Sequence, residues 1–174
     1  MLFNPQEIKR RKNEMRPKNF VPMRITRSYR QTIEAQPDVI FPLLCPEREK
    51  EWLDGWDYDM VYSQSGLIEE GAVFSTQSQA EEDTIWIVTK HDEINRVVEF
   101  ARCTPASRVC VQKIAVHPKD ETSSYVDISY TFTAIFPGGN KFIESYTDEV
   151  FQNVMKFWEL SMNHFIKTGT KLKK

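Results

Sequence analysis

Asn140 to Lys167 has the periodicity of one long helix, and nearly everything between Tyr58 and Ala134 reads as strand. Phe142, Tyr146, Val150, Val154, Phe157, Trp158, Met162 and Phe165 recur at helical spacing. Glu144, Asp148, Lys156, Glu159 and Lys167 take the other faces, and Gly169 follows as a C-terminal cap would. Such a helix is roughly 40 Å long. It needs a wide concave surface to bury its aromatic stripe. A curved sheet supplies one, and the space between the two is where a hydrophobic ligand would sit.

The strands carry the matching signal. In Ser124 to Ala134, Val126, Ile128, Tyr130, Phe132 and Ala134 share one side and Tyr125, Asp127, Ser129, Thr131 and Thr133 the other. That is a sheet with one dry and one wet face. Met23 to Glu34 alternates in the same way, with Arg27 and Gln31 interrupting its apolar face. Further strands run through Tyr58–Tyr62, Ala72–Thr76, Thr84–Lys90, Arg96–Cys103 and Arg108–His117. Short turns join them: Glu81-Glu82-Asp83, His91-Asp92-Glu93, Thr104 to Ser107 and Pro118-Lys119-Asp120. Successive strands with short turns imply antiparallel pairing. Pro37–Leu44 and Pro46–Trp52 read as two short helices, each with a proline in its first turn. Pro137-Gly138-Gly139 breaks the sheet before the last helix.

A chain of 174 residues suits one domain with its own core. Residues 1–21 stand apart as a basic, partly ordered arm with Lys9, Arg10, Arg11, Lys12, Arg16 and Lys18. Asn4 caps a short helix there, with Pro5 and Glu7 in its first turn. Residues 22–169 form the domain and residues 170–174 a basic tail. The formal net charge of -2 provides no field for nucleic acid. The arm alone could touch it, but no aromatic residues interleave with its charges. No stretch approaches the ~20 apolar residues that span a bilayer, and no apolar run follows the basic residues as in a secretory signal. Three cysteines, Cys45, Cys103 and Cys110, form no disulfide framework and indicate a reducing, cytoplasmic setting. Oligomeric state leaves no mark in the sequence.

The order strand, two short helices, six strands, long helix resembles the helix-grip fold of the START-like, birch-pollen-allergen-like superfamily. Its members include polyketide cyclases, aromatases and lipid-transfer domains. The stretch Leu44 to Trp56, with Pro46, Glu49, Trp52, Gly55 and Trp56, is similar to one in bacterial members, as is the ending Trp158 to Gly169. The resemblance covers about Met23 to Thr168. It implies an α+β fold: a seven-stranded curved antiparallel sheet around a long C-terminal helix, with two short helices between strands 1 and 2. It implies a cavity opening near the short helices, with Trp52 and Trp56 at its mouth. Phe74, Trp86, Phe100, Tyr130 and Phe132 would face it from strands, and Phe151, Met155 and Trp158 from the helix.

Two readings of these aromatics stay open, a solid core or the lining of an apolar chamber. The implied function is binding or transport of a small hydrophobic ligand: a lipid, an aromatic or a polyketide-like compound. The alternatives are a cyclase or dehydratase in the same cavity, or an interaction module like the heat-shock ATPase activators that share the fold. For acid–base work the candidates are Tyr130, Arg102, Arg96 and Glu99. His91, His117 and His164 lack metal spacing, no nucleophile motif or phosphate loop is present, and no cofactor is expected. The acidic cluster from Glu47 to Asp59 is mixed with Arg48 and Lys50 and reads as solvated surface.

Overall fold

The computed structural model of the chain describes residues 17–77 and 83–173. The short helix capped by Asn4, the basic residues through Arg16, and Glu81 and Glu82 of the acidic turn lie outside the described residues, as does Lys174.

Seven strands form one antiparallel sheet: β1 (Arg24–Ile33), β2 (Asp59–Tyr62), β3 (Val73–Thr76), β4 (Thr84–Asp92), β5 (Val97–Thr104), β6 (Arg108–Pro118) and β7 (Ser124–Ala134). Their spatial order is β1-β7-β6-β5-β4-β3-β2. Helix α1 (Pro37–Ile40) runs into a 3-10 turn at Phe41–Leu44, and α2 (Pro46–Trp52) follows. The chain ends in α3 (Pro137–Ser145) and α4 (Asp148–Thr168). This is the expected helix-grip architecture. In β7 every second residue from Ser124 to Ala134 is buried, so the period of two decides which side chains meet the helix.

The expected single helix is two helices. Tyr146 leaves helical backbone (φ -83°, ψ 65°), and the Thr147 side chain caps α4 by accepting from Val150 N at 3.3 Å. Asp148 and Glu149 in the first turn suit the positive end of the helix dipole, and Gly169 closes α4 in a left-handed conformation. The break resets the helical phase. Val150 and Val154 face outward, while Phe151, Met155 and Met162 are fully buried. The stripe Phe142–Tyr146–Val150–Val154 therefore does not continue across the break.

Strand β1 grips α4 along the sheet edge. Gln31 Nε2 donates to the Met155 carbonyl at 2.9 Å. Glu159 accepts from Tyr29 Oη and from Thr32 N, both at 3.0 Å. Asn163 Nδ2 donates to Thr32 O, and its Oδ1 accepts from Glu34 N. The backbone groups of an edge strand are thus partly satisfied by helix side chains.

Pro137, Gly138 and Gly139 form the first turn of α3 rather than a breaker before it. Proline suits the first helical position, and Gly139 permits contact with the β5–β6 turn. A Cβ on Gly139 would lie 2.0 Å from the Ser107 carbonyl oxygen, whereas one on Gly138 would meet only the Ala106 oxygen at 4.0 Å. Gly139→Ala is expected to lower stability by about 1–3 kcal/mol, read from denaturant midpoints. Gly138→Ala should be neutral or slightly stabilising. Equal effects of the two would contradict the close seating of α3.

Candidate functional site

The pairing registers align one row of inward side chains across all seven strands: Met60, Phe74, Trp86, Arg102, Cys110, Phe132 and Ile25. Arg102 is the single charge in this row. The next row holds Val88, Phe100, Gln112, Tyr130 and Arg27. The concave face therefore carries a polar patch, Arg102 and Cys110 beside Gln112 and Tyr130, within an aromatic surround.

The rings fill most of the interior. Phe74 stacks on Trp86 at 5.3 Å, and Phe100 meets both edge-on. Tyr130 packs edge-on against Phe132 and Phe151. Trp52 is fully buried, donates to Leu43 O at 2.9 Å and meets Trp158 edge-on. Met155 is fully buried under α4. Beneath the middle of α4 the aromatic inventory is packed core.

An open chamber of about 190 Å³ lies under α3, at the end of the sheet where β3–β4 and β5–β6 turn. Trp86, Phe132, Phe142 and Tyr146 provide its rings, Arg102, Arg108 and Cys110 its basic and thiol groups, and Thr76, Thr84 and Thr104 its hydroxyls. The hydroxyls are ordered: Thr84 and Thr104 bond each other at 2.8 Å, and Trp86 Nε1 donates to Thr76 Oγ1 at 3.0 Å. The Arg102 guanidinium carbon sits 4.7 Å from the Trp86 ring centre, 4.8 Å from Tyr130 and 5.3 Å from Phe132. Arg108 lies over Phe142 at 3.3 Å and donates to Ser107 Oγ.

A second hollow, of about 470 Å³, lies at the other end, between the short helices and the β4–β5 turn. Phe41, Pro42, Leu44, Leu67, Ile68 and Val98 make it apolar. Its polar rim is already paired: Arg96 with Asp38 at 2.6 Å, Arg48 with Glu51, and His91 stacked on Phe41. Trp56 and Trp158 line a third, open groove beside α4 together with Leu53 and Phe157. Of the ten aromatic and apolar positions carried over from the resemblance, Trp86 and Phe132 line the chamber under α3. Phe74, Phe100, Tyr130, Phe151, Met155 and Trp52 sit in the surrounding core.

The acid–base candidates separate. Arg102 faces the chamber. Arg96 sits in the turn before β5 with left-handed backbone (φ 53°), lines the hollow at the other end and pairs with Asp38. Glu99 pairs with Lys113 at 3.2 Å. Burial pushes the Tyr130 phenol upward, and the nearby Arg102 charge opposes the shift. Burial also raises the Cys110 thiol, again opposed by Arg102. His117 lies beside Asp127 and His164 beside Thr170. Among the described residues no three His, Cys, Asp or Glu side chains converge as a metal site would require. No helix among them is long and apolar enough to cross a membrane. The three cysteines are free, and Cys103, paired with Val109, lies on the opposite face from Cys110.

The charged run around Glu49 has the pattern of solvated surface, but the structure buries Glu49 itself. Pro46, Glu49 and Trp52 form the inward face of α2, a spacing of three already visible in the sequence. Burial lifts the Glu49 carboxyl to about 8, and its charge adds to the upward shift of Tyr130.

No family model matches the chain, and no curated protein sequence matches it. Solved structures do match in fold. Norcoclaurine synthase from Thalictrum flavum, in complex with dopamine and hydroxybenzaldehyde, aligns at TM-score 0.62 and 12% identity, covering 83% of this chain and 87% of that one. The Zhui aromatase/cyclase from Streptomyces sp. R1128 aligns at TM-score 0.62 and 9% identity, over 86% and 100%. A putative uncharacterized protein from Rhizobium leguminosarum aligns at TM-score 0.61 and 10% identity, over 84% and 97%. The chain shares the helix-grip fold of these structures.

The buried Glu49 ties stability to pH. Its carboxyl binds a proton in the folded state up to about pH 8, against an ordinary value of 4.5. The stabilising contribution is complete below the lower value and is lost as pH rises through the higher one. Glu49→Gln is expected to match the parent near pH 4.5 and to exceed it at pH 8 by about 4 kcal/mol. Thermal unfolding at both values checks this. A gap that does not grow with pH would place Glu49 in contact with solvent.

Proposed function

We propose that this protein binds a small hydrophobic molecule in the chamber between the sheet and α3. The observation that carries the reading is the chamber itself: about 190 Å³ walled by Trp86, Phe132, Phe142 and Tyr146. An apolar cavity of about 150 Å³ accepts benzene, so a one-ring ligand matches the space. Burying about 150 Å² of ring surface contributes about 4 kcal/mol, which corresponds to millimolar affinity before any polar contact. The hollow near the short helices is larger, but its charged groups are paired with each other, leaving fewer groups to orient a guest. One structure that shares the fold supports the size class by analogy alone: norcoclaurine synthase, in complex with dopamine and hydroxybenzaldehyde.

A second reading uses the same place. A cyclase or dehydratase needs a group that stabilises an enolate and a group that moves a proton. Arg102 supplies the first at the chamber wall, and the second would come from Tyr130, which lies beneath that guanidinium in the core just behind the wall. Recovery of a polyketide-like probe unchanged after prolonged incubation favours the carrier. Conversion that disappears in Tyr130→Phe favours the enzyme.

Titration with toluene and with indole, followed by the Trp86 indole N–H resonance, tests the binding reading. Saturable shifts in the millimolar range are expected, and Thr84→Phe, which places a ring in the chamber, should remove them. Shifts confined to Leu67 and Ile68 would move the site to the other end of the sheet.

A further inference from the structure

Resting on the chamber reading, we infer that the guest is an acid: a flat one-ring molecule whose carboxylate is held by Arg102. The inference stands on where Arg102 lies. It occupies the middle of a row whose other six members are Met60, Phe74, Trp86, Cys110, Phe132 and Ile25. Among the described residues no carboxylate pairs with it, whereas Arg27, Arg30, Arg48 and Arg96 each pair with one. Its charge is instead surrounded by the faces of Trp86, Tyr130 and Phe132, within 5.3 Å. Ring faces are electron-rich and stabilise the cation, but they accept none of its N–H groups in the plane of the fork. A half-buried guanidinium that lines a hollow can take a carboxylate through two parallel hydrogen bonds.

The rest of the wall fits an anion. The described lining contains two arginines, three threonines, one cysteine and four aromatic rings, and no carboxylate. A neutral apolar guest would offer the Arg102 fork no acceptor, at a cost in affinity relative to a carboxylate. A cation would meet the like charge of Arg102. Size sets the remaining limit: one aromatic ring with one carboxylate matches about 190 Å³, and a long acyl chain does not.

The probes are 4-fluorobenzoate and its neutral near-isostere 4-fluorobenzamide, titrated into the full chain and followed by fluorine NMR. 4-Fluorobenzoate is expected to bind at least about tenfold more tightly, since a hydrogen bond to a charged group contributes about 1.5–3 kcal/mol. In Arg102→Gln that preference should vanish while 4-fluorobenzamide binding changes by less than about threefold. Arg102→Lys should keep part of the preference. Equal affinity of the two probes for the unaltered protein would overturn the inference and leave the binding reading standing. That comparison needs no variant, so misfolding of a substituted chain does not obscure it. Loss of 4-fluorobenzoate binding in Arg108→Gln but not in Arg102→Gln would also overturn it. If neither probe binds, the chamber reading fails and the inference fails with it.

Discussion

Arg27 holds the C-terminal segment at its break, and the position of the chamber depends on that hold. Its Nε donates to the carbonyl of Tyr146, and its Nη1 reaches Asp148 at 3.2 Å. The first of these satisfies a carbonyl at the end of α3, where helical partners run out. On one side of the break, α4 is locked to β1 through Gln31, Glu159 and Asn163. On the other, α3 rests on the β5–β6 turn through Gly139. With both pieces fixed, the rings of Phe142 and Tyr146 hang over Arg102 and Phe132 as a roof. A continuous helix would carry the phase of Phe142 and Tyr146 on to Val150 and Val154 and bury the wrong residues.

The sheet was legible because its signal is a period of two, and β7 repeats it without error from Ser124 to Ala134. The break was not, because Tyr146 follows Phe142 by four residues and keeps the helical rhythm through the discontinuity. Thr147 followed by Asp148 and Glu149 carried a start signal that the aromatic stripe concealed. Arg96 and Arg102 are both acid–base candidates by residue type, and the structure places them at opposite ends of the sheet interior. Strand β5 begins at Val97, so Arg96 belongs to a turn. Glu49 was hidden by charged neighbours that do lie on the surface. Its spacing from Pro46 and Trp52 was the stronger indicator. Which rings would line a space and which would fill it depends on sub-ångström packing and has no counterpart in spacing.

The two ends of the barrel-like interior differ in how their charges are used. Near the short helices Asp38 and Arg96, and Arg48 and Glu51, neutralise one another at the rim. Under α3 the Arg102 guanidinium lies among ring faces. Burying a charge without an opposite charge is costly unless its surroundings solvate it. Cation–ring contacts do part of that for Arg102, which accounts for why four aromatic side chains gather around this end. The structural neighbours share the fold at 9–12% identity, so the curved sheet and its helix persist while the side chains that give an interior its chemistry are free to differ.

Asn140 links the roof to the start of the domain. Its Oδ1 accepts from Met23 N at 2.9 Å and its Nδ2 donates to Val21 O at 3.0 Å. The polypeptide leading into β1 is therefore stitched to the short helix that closes the chamber. Any force drawing that leading segment away from the body must either part these two bonds or lift α3 with it. The lid and the leader are, in mechanical terms, a single hinged piece.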